Sequence, residues 1–270
     1  MRKLLPKLKV LKTFEKNIEN NLTMNILKNI NRLYFNNLNL FNEIDHFITT
    51  REQFDLMEVK TSNHIQILEE SLSVLGYKAV YLQQVHGNEI IKSENFNYKL
   101  VNPIANGDAL ISNQKKTCLL IKTADCVPVL IYDNQKQIIA AIHAGWKGTY
   151  QEICKKTISE FTRNYDSNIN DLYVGIGPAI SPEIYEVGKE VYEKFISLNP
   201  IYAKFFKHVS REKWLFNLWE ANKFQILNTG IPEKNIEIMN ICTYKNTDKL
   251  YSARKEGIET GRIITGIMLK

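Results

Sequence analysis

Cysteine is sparse in this sequence and carries no pattern. The four residues, at positions 118, 126, 154 and 242, form no CxxC pair and no regular framework. That excludes a disulfide-stapled scaffold and suits a reducing compartment. Long apolar runs are missing as well. The best candidate, from Cys118 to Ala144, is broken by Lys122, Asp125, Asp133 and Lys136, so no membrane-spanning segment is expected. There is no linker rich in proline, glycine or serine, no short-period repeat, and no low-complexity block beyond a richness in asparagine and lysine. Charge of one sign does not dominate either. The net charge is +6, partly concentrated near the amino terminus at Arg2, Lys3, Lys7, Lys9, Lys12 and Lys16. The remainder is near neutral, which leaves nucleic-acid binding without support.

What is present is an ordinary globular composition, 44% hydrophobic and 24% charged over 270 residues, enough for one large core. The opening MRKLLPKLKVLKTF is basic. It lacks the sustained apolar stretch and small-residue cleavage site of a secretory signal, and its cations are mostly lysine where a transit peptide favours arginine and serine. Residues 1–23 are read as an extension outside the core, with Met24 as an alternative start. The expected location is cytoplasmic.

Residues 63–75, NHIQILEESLSVL, have helical spacing and stop before Gly76. Short apolar runs at 79–85, 108–112, 117–122, 126–132 and 137–143 have strand length and β-branched content. The break from Asn134 to Gln137 makes the last two a hairpin. Thr149 and Glu152 have capping-box spacing, which predicts a helix from about Tyr150 to Arg163. Further along, 171–176 reads as a buried strand and Ser181-Pro182 as the start of a helical turn. Helices are expected near 188–198 and 218–228, and strands near 236–241 and 262–269. Hairpins mixed with crossovers predict an α/β (α+β) fold: a single layered domain over 24–270, with mixed β-sheets and flanking helices.

The chemistry-bearing residues stand at the ends of these runs. His86 ends AVYLQQVH, Cys126 opens the next-but-two run, and His143 ends the run after that. One thiolate and two imidazoles make a three-ligand zinc set with a coordination position open, the mark of a catalytic site. Their spacing is wide, so convergence must come from the fold. His46, His64, His208, Cys118, Cys154 and Cys242 are read as structural. HAGWKGT sets glycines and Lys147 beside a helix start, which reads equally as an anion site or as a tight turn with a solvated lysine. Arg254, Lys255 and Arg262, from the ARKEG and GRI segments, form a second group that could bind an anion, read first as solvated surface.

Several motifs resemble the laccase-domain family, also called the multicopper polyphenol oxidase or purine nucleoside phosphorylase family. They are ITTR (48–51), LQQVHG (82–87), GDALIS (107–112), TADCVPVLIYD (123–133), AAIHAGWKGT (140–149), VGIGPAISPEIYEVG (174–188), ICTY (241–244) and the SARKEG…GR tail. The resemblance covers roughly 44–270. It implies that His86, Cys126 and His143 bind a catalytic zinc, and that the protein phosphorolyses purine nucleosides, methylthioadenosine included, and deaminates adenosine. Arg51, Gln84, Asp125, Lys147 and Arg254 are the candidates for holding substrate or phosphate. Two departures bear on substrate range: Glu52-Gln53-Phe54-Asp55 stands where the family has a glycine-rich loop, and Lys147 where arginine is common, which forfeits bidentate phosphate recognition. The older oxidase label fits poorly, because five histidines without an H-x-H pair do not build a multicopper cluster in one subunit, although copper competes for the same three donors. The alternatives are a metal-free cysteine hydrolase using Cys126 and His143, with Asp125 or another polar group as orienter, and a cell-wall precursor editing factor.

Overall fold

Strands from the middle of the chain are buried along their whole length, and that decides the architecture. In the computed structural model, which describes residues 32–52, 64–95 and 102–270, the strands are β1 (Ile44–Ile48), β2 (Lys78–Tyr81), β3 (Ile90–Lys92), β4 (Ala109–Ser112), β5 (Thr117–Thr123), β6 (Val127–Asp133), β7 (Ile138–Ala144), β8 (Leu172–Ile176), β9 (Glu186–Gly188), β10 (Phe206–Ser210), β11 (Lys213–Phe216), β12 (Ile236–Ile238) and β13 (Ile263–Leu269). The helices are α1 (His64–Val74), α2 (Trp146–Tyr150), α3 (Ile153–Asn164), α4 (Lys189–Leu198), α5 (Leu218–Leu227) and α6 (Ala253–Glu256).

They form a six-stranded sheet in the order β12-β8-β6-β7-β4-β3, a four-stranded sheet β1-β13-β5-β2 and a three-stranded antiparallel sheet β10-β11-β9. The two larger sheets mix parallel and antiparallel pairs. Side chains alternate between faces along a strand. On β6, Val127, Val129 and Ile131 join the core beneath Ile153, Ile158 and Phe161 of α3, while Leu130 and Tyr132 meet Leu119 and Ile121 of β5. The far side of β5, through Cys118 and Leu120, packs on Leu68 and Leu72 of α1. The layers therefore run helix, six-stranded sheet, four-stranded sheet, helix. Strands buried on both faces lose the polar alternation of a half-solvated sheet, and each fully buried Leu, Ile or Val there contributes about 1.5–3 kcal/mol. Among the described residues no helix is long and apolar enough to cross a membrane.

The mixed α/β architecture matches the expected class, and the β6–β7 hairpin forms with Val127 opposite Ala144 and Asp133 opposite Ile138. Cys118 and Cys154 are fully buried in the core. His46 is buried too, accepts the Phe35 N–H at 2.8 Å, and is pushed by that burial down to about 4, so it stays neutral.

Three local expectations are corrected. The run 79–85 is strand only to Tyr81, and His86 lies in the following loop at φ 59°. The run 236–241 is strand only to Ile238. The Thr149/Glu152 capping box does not form. Thr149 lies inside α2, its hydroxyl donating to the Gly145 carbonyl at 3.0 Å and meeting Asn222 Oδ1 at 3.2 Å. Glu152 adopts a left-handed conformation at φ 59° that separates α2 from α3. The buried pairing with Asn222 takes the hydroxyl that a cap would need. The expectations for residues 1–23, Met24, Asn63 and 53–55 fall outside the described residues.

Candidate metal centre

The hairpin register brings two distant residues side by side. Pro128 on β6 pairs with His143 on β7, so Cys126, two residues earlier, emerges next to the end of β7. His86 arrives from the loop after β2. What holds that loop is Asp108, a fully buried carboxylate just before β4. Its oxygens accept the backbone N–H groups of Val85 at 3.3 Å, His86 at 3.0 Å and Gly87 at 2.6 Å. The same carboxylate meets His143 Nδ1 at 2.7 Å, and the Asp108 carbonyl accepts the His143 N–H at 2.7 Å. One side chain thus fixes both histidines. With Nδ1 held by Asp108, Nε2 is the nitrogen that His143 presents toward Cys126 and to a metal.

The ligand atoms of His86, Cys126 and His143 all lie within 4.8 Å of one another. The two imidazoles stand edge to face with centroids 4.7 Å apart. His143 is buried, Cys126 partly buried and His86 exposed, so the group opens to one side. Gly145 explains part of the local sequence: a Cβ there would lie 2.9 Å from Cys126 Sγ and 3.5 Å from the His86 ring. A Cβ on the second glycine of that segment, Gly148, would likewise lie 2.9 Å from the Gly87 carbonyl oxygen. Close approach, more than anion cradling, accounts for both.

Electrostatics favour the thiolate. Burial works to raise the Cys126 pKa, but the imidazoles of His143 and then His86 outweigh it and hold the thiol well below its usual value. Burial likewise opposes charge on His143, and the Cys126 thiolate with the Asp108 hydrogen bond overcomes it, raising that imidazole. Asp108 itself, though burial resists its ionisation, is held low by His143 and by the Gly87 N–H.

Beside the three residues lies a cavity of about 340 Å³, with Gln83, Gln84, Lys122 and Arg262 on its walls. Of the other five candidates only Gln84 lines it. Its amide clasps the Lys122 backbone in both directions, at 2.7 Å to the carbonyl and 2.7 Å from the N–H. Arg51 pairs with Glu256 at 2.6 Å and stacks over Tyr251 at 4.2 Å. Asp125, at φ 89°, accepts from Thr243 at 2.6 Å, Ser252 at 2.7 Å and the Arg254 N–H at 2.7 Å, which ties three loops together. The Arg254 guanidinium reaches the Glu186 carbonyl at 3.2 Å. Lys147 is exposed in the first turn of α2. The orienting position beside His143, which the cysteine-hydrolase alternative gives to Asp125 or another polar group, is held by Asp108. Asp108 and Lys122 are not among the site residues expected from the sequence, and Arg262 belongs to the group expected either to bind an anion or, more readily, to be solvated surface. A carboxylate opening the apolar run ALIS was the available signal for the first.

Residues 51–270 match the family described as multi-copper polyphenol oxidoreductase laccase. The chain belongs to that family. A relative from Bacteroides thetaiotaomicron named purine nucleoside phosphorylase is 33% identical over 270 residues, covering 91% of this chain and 99% of its own. Adenosine deaminase RL5, from an unknown prokaryotic organism, is 34% identical over 167 residues, covering 60% of this chain and 62% of its own. Among solved structures, the hypothetical protein YfiH of Bacillus licheniformis superposes with a TM-score of 0.74 at 26% identity, covering 85% of this chain and 94% of that one. In this laccase-family chain, the family's copper label meets a sequence with five histidines and, among the described residues, one three-donor group.

Proposed function

We propose that residues 24–270 act as one catalytic domain, a zinc-dependent purine nucleoside phosphorylase that also deaminates adenosine and accepts methylthioadenosine. The observation that carries this reading is the convergence of His86, Cys126 and His143 within 4.8 Å at the edge of a cavity. The donor set fits zinc: one sulfur and two nitrogens, a thiol already biased to thiolate, and a histidine whose second nitrogen is held by a carboxylate. Copper suits the same donors. Zinc held there supplies Lewis acidity and lowers the pKa of a coordinated water to about 7. The chain's own residues do the rest. Asp108 fixes the His143 tautomer and the loop of His86, and the cavity beside them receives the purine nucleoside. The names of the relatives, phosphorylase and deaminase, support both reactions.

A second reading is favoured by one observation. Cys126, His143 and Asp108 are ordered as nucleophile, base and orienting carboxylate, the arrangement of a metal-free cysteine hydrolase. His86 separates the two readings. Metal analysis of the purified protein, followed by a product screen with adenosine in the presence and absence of phosphate, tests the first. Adenine and ribose 1-phosphate report phosphorolysis, and inosine without phosphate reports deamination. Full turnover by His86→Ala, or by metal-free wild-type protein, would refute the zinc reading and favour the cysteine one.

A further inference from the structure

The cations expected to hold phosphate, Arg51, Lys147 and Arg254, do not line the cavity beside the three-donor group. Two others do, Lys122 with its backbone held by polar contacts and Arg262 with its guanidinium held by them. Lys122, near the end of β5, has its backbone N–H and carbonyl clasped by the Gln84 amide. Arg262, just before β13, donates from its guanidinium to the carbonyls of Ile258 at 2.8 Å and Gly261 at 3.0 Å, and to that of Thr260. The strand pairing of Lys122 with Ile264 sets the two cations near each other. Both also line a second cavity, of about 280 Å³, on their other side. Neither makes an ion pair among the described residues, Glu259 of that second cavity included. Burial, and after it the Arg262 charge, lower the Lys122 pKa, as expected of a partly buried cation with a second cation near it, and the Lys122 ammonium lies over the Tyr81 ring at 5.8 Å.

Two partly buried like charges on one cavity wall are unfavourable alone and favourable around a dianion. We propose that Lys122 and Arg262 form an oxyanion site for inorganic phosphate, the co-substrate of phosphorolysis, beside the His86–Cys126–His143 group. This rests on the nucleoside phosphorylase reading for its role, and on the geometry alone for its chemistry. Gln84 is then a positioning residue for Lys122. A phosphoryl group carried by a nucleoside 5′-monophosphate has the same chemistry, and the test separates the two sources.

Binding of inorganic phosphate and of adenosine 5′-monophosphate to the full-length protein is measured by calorimetry, alongside phosphorolysis kinetics. Losing one charge-assisted contact predicts that Lys122→Met raises both the Kd and the KM for phosphate roughly ten- to a hundredfold, with metal content and the KM for nucleoside little changed. Lys122→Arg should recover most of the affinity. Arg262→Gln should raise the phosphate Kd to a similar extent; should it fold poorly, the two Lys122 variants carry the test by themselves. Phosphate binding that depends on Lys122 in a protein without phosphorolysis would support the anion site and sink the phosphorylase reading. An unchanged phosphate Kd and KM in Lys122→Met would overturn the proposal, as would wild-type protein that binds only the nucleotide.

Discussion

Asp108→Asn is the substitution that probes the centre most sharply, because it keeps the shape and removes the charge. One carboxylate oxygen serves His143 Nδ1 and the His86 N–H, and the other serves the Val85 and Gly87 N–H groups. An amide has one oxygen and one NH₂ group, so two of the four donors face another donor whichever way it turns. If the NH₂ faces His143, the imidazole must accept at Nδ1 and its Nε2 carries the proton, which removes a ligand. If it faces Gly87, the loop of His86 loses two anchors. Hydrogen bonds to a buried charged group contribute about 1.5–3 kcal/mol each, so losing two costs the fold about 3–6 kcal/mol. Replacing the carboxylate partner of a ligating histidine weakens metal binding about 10- to 100-fold. Chelator competition on the purified variant measures the second quantity and urea unfolding the first. Metal affinity within twofold of wild type, with an unmoved urea midpoint, would refute the role given to Asp108.

Further outcomes follow from the same geometry. Gly145→Ala places a methyl group 2.9 Å from Cys126 Sγ, so metal affinity should fall with little change in far-UV circular dichroism; chelator competition checks it. In metal-free protein Cys126, held down to about 6, should be alkylated by iodoacetamide at neutral pH, with the rate falling as acidification protonates the thiolate through that pKa. Cys154, pushed up to about 12 by burial, should stay unlabelled in the folded state, and metal loading should protect Cys126; peptide mass spectrometry reads all three. Gly175→Ala sets a Cβ 2.5 Å from the Phe35 ring, an overpacking that should cost about 1–3 kcal/mol in urea unfolding.

The strands that carry the site were legible for a physical reason. β5, β6 and β7 are buried on both faces, so each reads as an unbroken apolar run bounded by polar residues. β10, FKHVS, is short and largely solvated and β11, KWLF, is only four residues long, and nothing in their pattern marks them as strands. His86 and Cys126 stood out because thiol and imidazole at the edge of such runs are unusual. Asp108 did not, since its role depends on partners 21 to 35 residues away. Lys122 stands at the polar end of the β5 run, where a lysine reads as the run's boundary and not as a site residue. The Thr149-x-x-Glu152 pattern misled because a buried asparagine from α5 claimed the hydroxyl.

The central claim is that one metal ion is held by His86, Cys126 and His143. Elemental analysis of full-length protein, wild type against Cys126→Ala and His86→Ala, tests it directly. One zinc per wild-type chain and a loss to background in both variants is the predicted result. Equal metal content in all three proteins, or a wild-type protein that turns over nucleosides with no bound metal, would contradict it.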